Sequence, residues 1–375
     1  MGKLGIYIHV PFCIKKCNYC DFCSFADSDK NIMRQYSEEL CRRMIEFSRQ
    51  KYIDLTVDTV YFGGGTPTLL PIDCFEMILQ TLNSHFKIEN DAEISVECNP
   101  ASIDREGLRR LRAIGVNRLS IGLQSANENE IRVLGRLHSF ADFCSIYNDA
   151  RNVGFDNISV DLMYGIPEQT LSSFENTLRK VCQLSPEHIS AYGLKIEEGT
   201  AFARNKAELV LPDEDEEYAM YCRCVELLRE NGYERYEISN FAKPGRYSRH
   251  NMRYWRLEDY IGFGVAAHSC FKGERFGNSR DIKAFISGKD ICEERYSISK
   301  EERVREFVML GLRLQMGVDL NEYRDLSGRE FKKDFDVTDS LIKAGFLWEK
   351  NGRVGFTTKG FFVSNTILAQ MLNFE

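Results

Sequence analysis

Long apolar runs are missing from this sequence. A helix needs about 18 to 20 consecutive apolar residues to cross a bilayer, and no run of that kind occurs in the 375-residue chain. The opening residues, MGKLGIYIHV, lead directly into a cysteine cluster without the apolar segment of a secretory signal. We therefore expect a protein that is neither integral to a membrane nor secreted, and place it in the cytoplasm.

An excess of basic residues is also missing. The formal net charge is −7, with 49 lysines and arginines against 56 aspartates and glutamates. Proteins that bind nucleic acid usually carry a basic face that neutralises phosphates. The charge balance therefore argues against nucleic acid as a partner.

A disulfide framework is not expected either, although the chain has 13 cysteines. Most of them are isolated within apolar segments, as Cys74, Cys98, Cys144 and Cys270 are, where a small buried thiol is the usual role. Disulfide-dense proteins are usually short and secreted. We expect the thiols to be reduced, and either free or bound to metal.

The sequence does contain a regular alternation of strand and helix patterns. Amphipathic stretches that end near a glycine or proline separate most of the β-rich runs. These runs cover residues 5–10, 59–65, 93–98, 118–125, 157–165 and 188–195. Such alternation indicates βαβ units in an α/β fold. Six units favour a partial TIM-like barrel, with a doubly wound open sheet as the alternative.

Residues suited to chemistry follow the predicted strands. Cys13 follows the first, glycines 63–65 end the second, and Glu97, Gln124 and Asp161 end the next three. Ligands of parallel α/β folds bind at the carboxyl ends of the strands. We therefore expect these residues to meet at one site.

The character of the sequence changes near residue 240. The stretch that follows is rich in glycine and aromatic residues and lacks clear periodicity, whereas helical patterns return after residue 300. Asn351–Gly352 then predicts a hairpin. We expect a core domain at 1–235 and a smaller domain at 236–375 that contains a winged-helix-like module. Its basic and acidic residues nearly balance, which favours a packing module or lid over DNA binding.

Four cysteines lie within the stretch YIHVPFCIKKCNYCDFCSF. Cys13, Cys17 and Cys20 form Cys-x3-Cys-x2-Cys, a spacing that lets a short loop hold a 4Fe–4S cluster through three thiolates. The fourth iron is then open to the amine and carboxylate of S-adenosylmethionine. Cys41 lies too far along to complete this loop. Cys23 leaves two alternatives open, a four-thiolate cluster and a structural zinc site.

The segment YIHVPFCIKKCNYCDF resembles the signature of radical S-adenosylmethionine (radical SAM) enzymes. More narrowly, it resembles the branch that contains oxygen-independent coproporphyrinogen III oxidases and HemW haem chaperones. The similarity continues through FGGGTPT, ISVECNP, RLSIGLQS, DLMYGIPEQT and HNMRYW, and so spans most of the chain. It implies a partial (β/α)6 barrel of the radical SAM type, followed by a smaller C-terminal domain of the HemN type.

The resemblance also implies a set of residues that hold S-adenosylmethionine. Glycines let a backbone approach the ligand, a carboxylate can accept hydrogen bonds from ribose hydroxyls, and an arginine suits a carboxylate. The matching positions are Tyr7, Tyr19, Gly64, Gly65, Thr66, Glu97, Gln124, Arg136 and Asp161. The cluster ligands are then Cys13, Cys17 and Cys20.

Two departures from the oxidase pattern, together with the motif HNMRYW, favour the HemW branch over the oxidases. The oxidases extend their signature to Cys-x3-Cys-x2-Cys-x-Cys, where this sequence has Phe22, and Cys23 lies one residue further on. The oxidases also carry a longer N-terminal arm, whereas twelve residues precede Cys13 here.

The expected function is therefore that of a haem chaperone that passes haem to an acceptor protein. Respiratory membrane proteins are candidate acceptors, which makes the inner face of the membrane a second candidate location. A homodimer is one assembly to test. The alternative function is oxidative decarboxylation of coproporphyrinogen III to protoporphyrinogen IX.

The motif HNMRYW supplies a candidate haem site. HemW proteins carry His-Asn-x-x-Tyr-Trp, and His250, Asn251, Tyr254 and Trp255 match it. Histidine is a common ligand of haem iron, and aromatic rings pack on porphyrin faces. The resemblance thus makes His250 a candidate haem ligand, with His9 and His268 as alternatives. On local chemistry alone, a structural corner is the favoured interpretation of the motif.

The substitution Cys23→Ser tests whether three or four cysteines bind the cluster. If three thiolates hold it, the variant keeps the iron content of the wild type after anaerobic reconstitution. Iron is measured per polypeptide by a colorimetric assay. A loss of about a quarter of the iron, or more, would contradict the three-cysteine interpretation of a four-iron cluster.

Overall fold

The computed structural model describes residues 2–26, 29–49 and 55–372. The strands are β1 (Lys3–Val10), β2 (Phe12–Cys13), β3 (Phe25–Ala26), β4 (Thr56–Gly64), β5 (Lys87–Cys98), β6 (Arg118–Gln124), β7 (Ile158–Tyr164), β8 (His188–Gly193), β9 (Glu234–Arg235), β10 (Asn240–Ala242), β11 (Tyr260–Phe263), β12 (His268–Phe271), β13 (Glu274–Asn278), β14 (Cys292–Ser297), β15 (Val318–Asp319), β16 (Leu347–Lys350) and β17 (Arg353–Phe356).

The helices are α1 (Lys30–Ser48), α2 (Ile72–His85), α3 (Arg105–Ala113), α4 (Glu128–Val133), α5 (Phe140–Asn152), α6 (Leu171–Leu184), α7 (Ala201–Arg204), α8 (Glu214–Glu230), α9 (Arg249–Trp255), α10 (Ile282–Ile286), α11 (Lys300–Leu312), α12 (Leu320–Ser327), α13 (Phe331–Asp334), α14 (Thr338–Lys343), α15 (Thr358–Phe362) and α16 (Ser364–Leu372). Short 3₁₀ turns cover Pro67–Leu69 and Lys206–Glu208. None of the described helices is long and apolar enough to span a bilayer.

The six predicted strands form the parallel centre of one large sheet. They correspond to β1, β4, β5, β6, β7 and β8, which lie side by side in that order. A doubly wound sheet would reverse its strand order at a switch point. Here neighbours in the chain are neighbours in the sheet, so the alternative of a doubly wound sheet is wrong.

The ring of strands stays open, as a partial barrel requires. The outer neighbour of β1 is β11 and that of β8 is β10, so β1 and β8 do not pair with each other. The α/β fold class with a partial barrel is therefore confirmed. The central strands are largely buried, and every residue of β6 is buried.

Antiparallel strands that the sequence did not reveal extend the sheet. Beyond β11, the strands β12, β13 and β14 form an antiparallel meander, and β10 pairs with β9 at the other edge. Their sequences are short and lack the regular alternation that marks a half-buried strand. The division at residue 235 falls between the paired β9 and β10, and the domain bounds stay a prediction.

The C-terminal residues build a second apolar core. It includes buried residues from Val304 to Leu372, together with Tyr221 of α8, and joins the helices from α11 onward to the small sheet β15–β17–β16. The predicted hairpin is present, with Asn351 and Gly352 at φ of 52° and 71° between β16 and β17. Positive φ at both positions is what a tight hairpin turn needs. The winged-helix-like module is thus confirmed.

The motif HNMRYW forms helix α9, which is tied to the barrel by a buried ion pair. The Arg253 side chain is 2% exposed and its guanidinium bonds the carboxylate of Asp58 at the start of β4. It also donates to the carbonyl oxygen of Asp259 over 3.1 Å. Gly5 on β1 leaves room for it, because a Cβ there would lie 2.6 Å from Cδ of Arg253.

Replacing Arg253 by alanine should lower the free energy of unfolding by about 3 kcal/mol, because it leaves the buried Asp58 carboxylate without its closest partner. The loss is at the low end of the usual range since Lys3 and Arg249 also lie 3.9 Å from Asp58. Urea unfolding followed by circular dichroism measures it. Arg249→Ala is the matched control on the same helix and should cost less than about 1 kcal/mol. Equal losses would show that burial of the pair is unimportant.

Candidate functional site

The loop after β1 presents three thiols to one cavity. Cys13 is buried at the end of β2, and Cys17 and Cys20 are half-buried on the loop that follows. The Asn18 amide nitrogen Nδ2 holds this loop to the C-terminal end of α4 by donating to the carbonyl oxygen of Val133 over 2.8 Å. All three thiols line an inner cavity of about 480 Å³ inside the barrel mouth.

Cys23 lies apart from these three thiols. It is buried but lines a second, outer cavity of about 870 Å³, whereas it does not line the inner one. Asp21 and Phe22 line both cavities and form the wall between them. The structure thus brings together the three predicted cluster ligands and separates the fourth cysteine from them.

The glycine-rich turn after β4 packs directly on the cluster loop. The Gly65 N–H donates to the Val10 carbonyl over 2.8 Å, and the Thr66 N–H donates to that of Phe12 over 2.7 Å. A Cβ on Gly65 would lie 2.7 Å from the same Phe12 oxygen. Gly64 has φ of 112°, a conformation that favours glycine. These positions therefore require glycine for a close backbone approach.

The inner cavity collects most of the predicted ligand-binding residues. Its wall includes Tyr19, Gly64, Gly65, Thr66, Glu97, Gln124, Arg136 and Asp161. All but Arg136 come from four strands or the turns after them and from the cluster loop, which meet because the strands are parallel. Arg136 comes from the connection between α4 and α5. Tyr7 does not line this cavity and lies on the outer one.

Two half-buried carboxyl groups, those of Glu97 and Asp161, line the inner cavity. Glu97 accepts hydrogen bonds from the Tyr61 hydroxyl and the Gly64 N–H, both over 3.0 Å. Burial, followed by the charge of Asp161, raises the pKa of Glu97 to about 7. Burial also raises the pKa of Asp161, which accepts from the Ser120 hydroxyl at 3.1 Å. Both groups can therefore bind hydroxyls of a ligand.

Two arginines offer unused donors at the same wall. Arg136 donates to the carbonyl oxygen of Gly122 over 2.6 Å, and its guanidinium lies 3.9 Å from the Cys17 sulfur. Within the described part of the chain, Nε of Arg136 and Nε of Arg118 are both buried without a partner. Buried donors without partners are costly. They fit a ligand that brings an anionic group into the cavity.

A local distortion of β6 positions Gln124. Its φ is 69°, a left-handed conformation that is uncommon outside glycine, and the pairing with β7 shifts register between Gly122 and Gln124. Such a bulge turns a side chain away from the regular alternation. Gln124 is buried and lines the inner cavity as a result.

His250 lines neither of the two cavities. Its ring is fully buried; Nδ1 is 2.9 Å from the Thr59 hydroxyl and Nε2 is 2.8 Å from the Tyr254 hydroxyl. Burial, followed by the charge of Arg253, lowers the pKa of His250 to about 3. Both nitrogens are thus engaged within the protein. A role for His250 as haem ligand stays a prediction.

Sequence patterns missed several residues of both cavities. Tyr61, Arg118, Ser190 and Tyr192 also line the inner cavity. Ser190 and Tyr192 end β8, so the strand-end pattern that found Glu97 could have found them. The outer cavity takes Asn278, Arg280, Glu293 and Glu294 from the antiparallel meander and its connections, where the sequence has no regular pattern.

The donor set does not suit a single metal ion. Across residues 2–26, 29–49 and 55–372, no three His, Cys, Asp or Glu side chains are grouped so as to hold one ion. A structural zinc site needs such a group. An iron–sulfur cluster instead spreads its thiolates over several irons, as three spaced cysteines at a cavity wall can provide.

Comparisons with known proteins agree with this geometry. The radical SAM superfamily model matches residues 7–181, and the HemN C-terminal domain matches residues 298–363. The chain is 34% identical to "Heme chaperone HemW" of Bacillus subtilis (strain 168), with 98% of each chain covered. It is 32% identical to the protein of the same name from Haemophilus influenzae, with 100% of this chain and 99% of that one covered. The chain belongs to the HemW family.

A solved structure supports the fold of this HemW family member. Coproporphyrinogen III oxidase (HemN) from Escherichia coli aligns with a TM-score of 0.86, covering 99% of this chain and 90% of that chain. The sequence identity is 24%, so the likeness concerns the fold. Membership of the radical SAM superfamily implies a 4Fe–4S cluster and S-adenosylmethionine as cofactors.

Replacing Glu97 by glutamine should alter how stability depends on pH. The carboxyl pKa rises from 4.5 when unfolded to about 7 when folded. Between these values the native state keeps a proton that the unfolded state has lost, so wild-type stability falls as pH rises. Relative to wild type, the variant should therefore gain up to about 3 kcal/mol between pH 5 and pH 8.

Urea midpoints of both proteins at the two pH values measure this gain. Glu301→Gln, at an exposed position on α11, is the control and should not change the difference between the two pH values. If the stability of Glu97→Gln changes between the two pH values by the same amount as that of wild type, the assignment of a protonated Glu97 is contradicted.

Proposed function

We propose that this protein is a haem chaperone, which binds haem and transfers it to an acceptor protein. The observation that carries the proposal is its similarity, over nearly the whole of both chains, to proteins named heme chaperone HemW. The cluster loop supports it, because Cys23, the fourth cysteine of that loop, lies outside the inner cavity that Cys13, Cys17 and Cys20 line.

In this proposal Cys13, Cys17 and Cys20 bind the 4Fe–4S cluster. Three thiolates leave one iron open to S-adenosylmethionine. The inner cavity supports this assignment, since its size lies within the usual range for small-ligand sites.

The remaining wall of the cavity binds S-adenosylmethionine. Glu97 and Asp161 bind its hydroxyls, because carboxyl groups accept hydrogen bonds. Arg136 binds the carboxylate of S-adenosylmethionine through its Nε, which has no partner among the described residues. Tyr19, which lines the cavity among apolar residues, is placed to contact the adenine.

The outer cavity is the place for haem. It is larger than the inner cavity, shares the wall formed by Asp21 and Phe22, and includes the rings of Tyr254 and Tyr260. Aromatic rings offer a porphyrin flat apolar contact. We further propose a cytoplasmic protein, since none of the thirteen cysteines forms a disulfide.

Two parallel assays on anaerobically reconstituted protein test the proposal. In one, haem is titrated and the Soret band is followed. In the other, coproporphyrinogen III, S-adenosylmethionine and a reductant are supplied, and protoporphyrinogen IX and 5′-deoxyadenosine are measured. We expect stoichiometric haem binding without porphyrinogen turnover.

Porphyrinogen turnover would instead establish the oxidase, the alternative function that the sequence left open. Binding of haem followed by its transfer to an apo-acceptor, read as movement of the Soret band between separated proteins, would complete the evidence for a chaperone. A protein that neither binds haem nor turns over porphyrinogen would contradict both functions.

A further inference from the structure

We propose that His268 is the protein ligand of the haem iron and that Glu294 orients it, at the outer cavity. This inference rests on the proposed haem-binding function. It differs from the expectation that His250 of the HNMRYW motif is the ligand.

The environment of the other five histidines argues against each of them. His9, His188 and His250 are buried, and both ring nitrogens of each are within 3.0 Å of a hydrogen-bond partner. His138 is 3% exposed, with Nε2 directed to a carbonyl oxygen. His85 ends helix α2 and lines neither cavity.

His268 has the two properties that an iron ligand needs. It begins β12 at the wall of the outer cavity, and its side chain is 64% exposed. Its Nδ1 lies 3.4 Å from Oε1 of Glu294, while no described residue bonds its Nε2. Histidines that bind metals usually direct the second ring nitrogen to a carboxylate or carbonyl, which fixes the tautomer and ring orientation. Glu294 supplies that carboxylate, and Nε2 is left for iron.

A glycine makes room for this pair. Gly277 on β13 is the direct neighbour of His268 on β12 and of Glu294 on β14. A Cβ at Gly277 would lie 2.8 Å from Nδ1 of His268 and 2.9 Å from Oε1 of Glu294. The side chains of His268 and Glu294 therefore approach each other across Gly277, which has no side chain to separate them.

The rest of the outer cavity suits both the apolar macrocycle of a haem and its charged propionates. Tyr254 and Tyr260 pack edge to face with ring centres 4.6 Å apart, and Phe22 is 68% exposed at the cavity wall. These rings provide apolar contact for the macrocycle. Arg280 lies on the wall near His9 and Cys23 and forms no ion pair with any described residue. It is therefore available to the haem propionates, because a guanidinium pairs well with carboxylates.

Haem titration of the full-length protein tests the assignment. His268→Ala should weaken haem binding by more than about tenfold and shift the Soret band, whereas His85→Ala, a surface histidine outside the cavity, should match wild type. Added imidazole should restore the band of His268→Ala, because it supplies the missing ligand. Iron and sulfide content should remain at wild-type levels in both variants, which separates haem loss from loss of the cluster.

The substitution Gly277→Ala provides an independent test of the same assignment. The added methyl group displaces the pair without removing the ligand, and haem affinity should fall by about tenfold or more, as expected when a supporting carboxylate is lost. Circular dichroism checks that each variant is folded.

The outcomes distinguish the two proposals. If wild type binds no haem, both the proposed function and this inference fail. If wild type binds haem and His268→Ala binds it equally well, the chaperone stands and His268 is not the ligand. Loss of binding in a folded His250→Ala variant, with His268→Ala unaffected, would return the ligand to the HNMRYW motif.

Discussion

The site depends on one close approach of two backbones. The glycine-rich turn after β4 lies against the cluster loop, joined to it by two hydrogen bonds from the N–H groups of Gly65 and Thr66. This contact fixes the three cysteines opposite the strand ends that carry Glu97 and Asp161. A side chain at Gly65 would collide with the loop backbone, so cluster loop and ligand cavity are built as one unit.

At the barrel mouth, some polar groups are withdrawn from water without a hydrogen-bond partner or an opposite charge. Glu97 is held with a pKa near neutrality, and the Nε atoms of Arg118 and Arg136 at the cavity wall lack partners among the described residues. Such groups reduce stability when the cavity is empty. A ligand that supplies hydroxyls and a carboxylate satisfies them, which is the physical basis for binding selectivity at this wall.

The HNMRYW motif shows how one sequence feature can serve the fold and the site at once. His250 and Arg253 are buried and bind β4 through Thr59 and Asp58, so they hold α9 against the barrel. Tyr254 reaches the outer cavity from the same helix. Part of the match to the HemW pattern is therefore explained by architecture, and the search for the haem ligand moves to residues that the cavity exposes.

The sequence by itself determined the six parallel strands, the cluster loop, the hairpin at Asn351–Gly352 and most of the inner cavity. It could do so because strand periodicity, cysteine spacing and strand-end positions are local signals. Only the tertiary structure decided that Cys23 and Tyr7 face a different cavity from Cys20, since a few residues along a loop do not fix direction. It also brought His268, Gly277 and Glu294 together, because pairing between three short strands is a long-range property that no local pattern encodes.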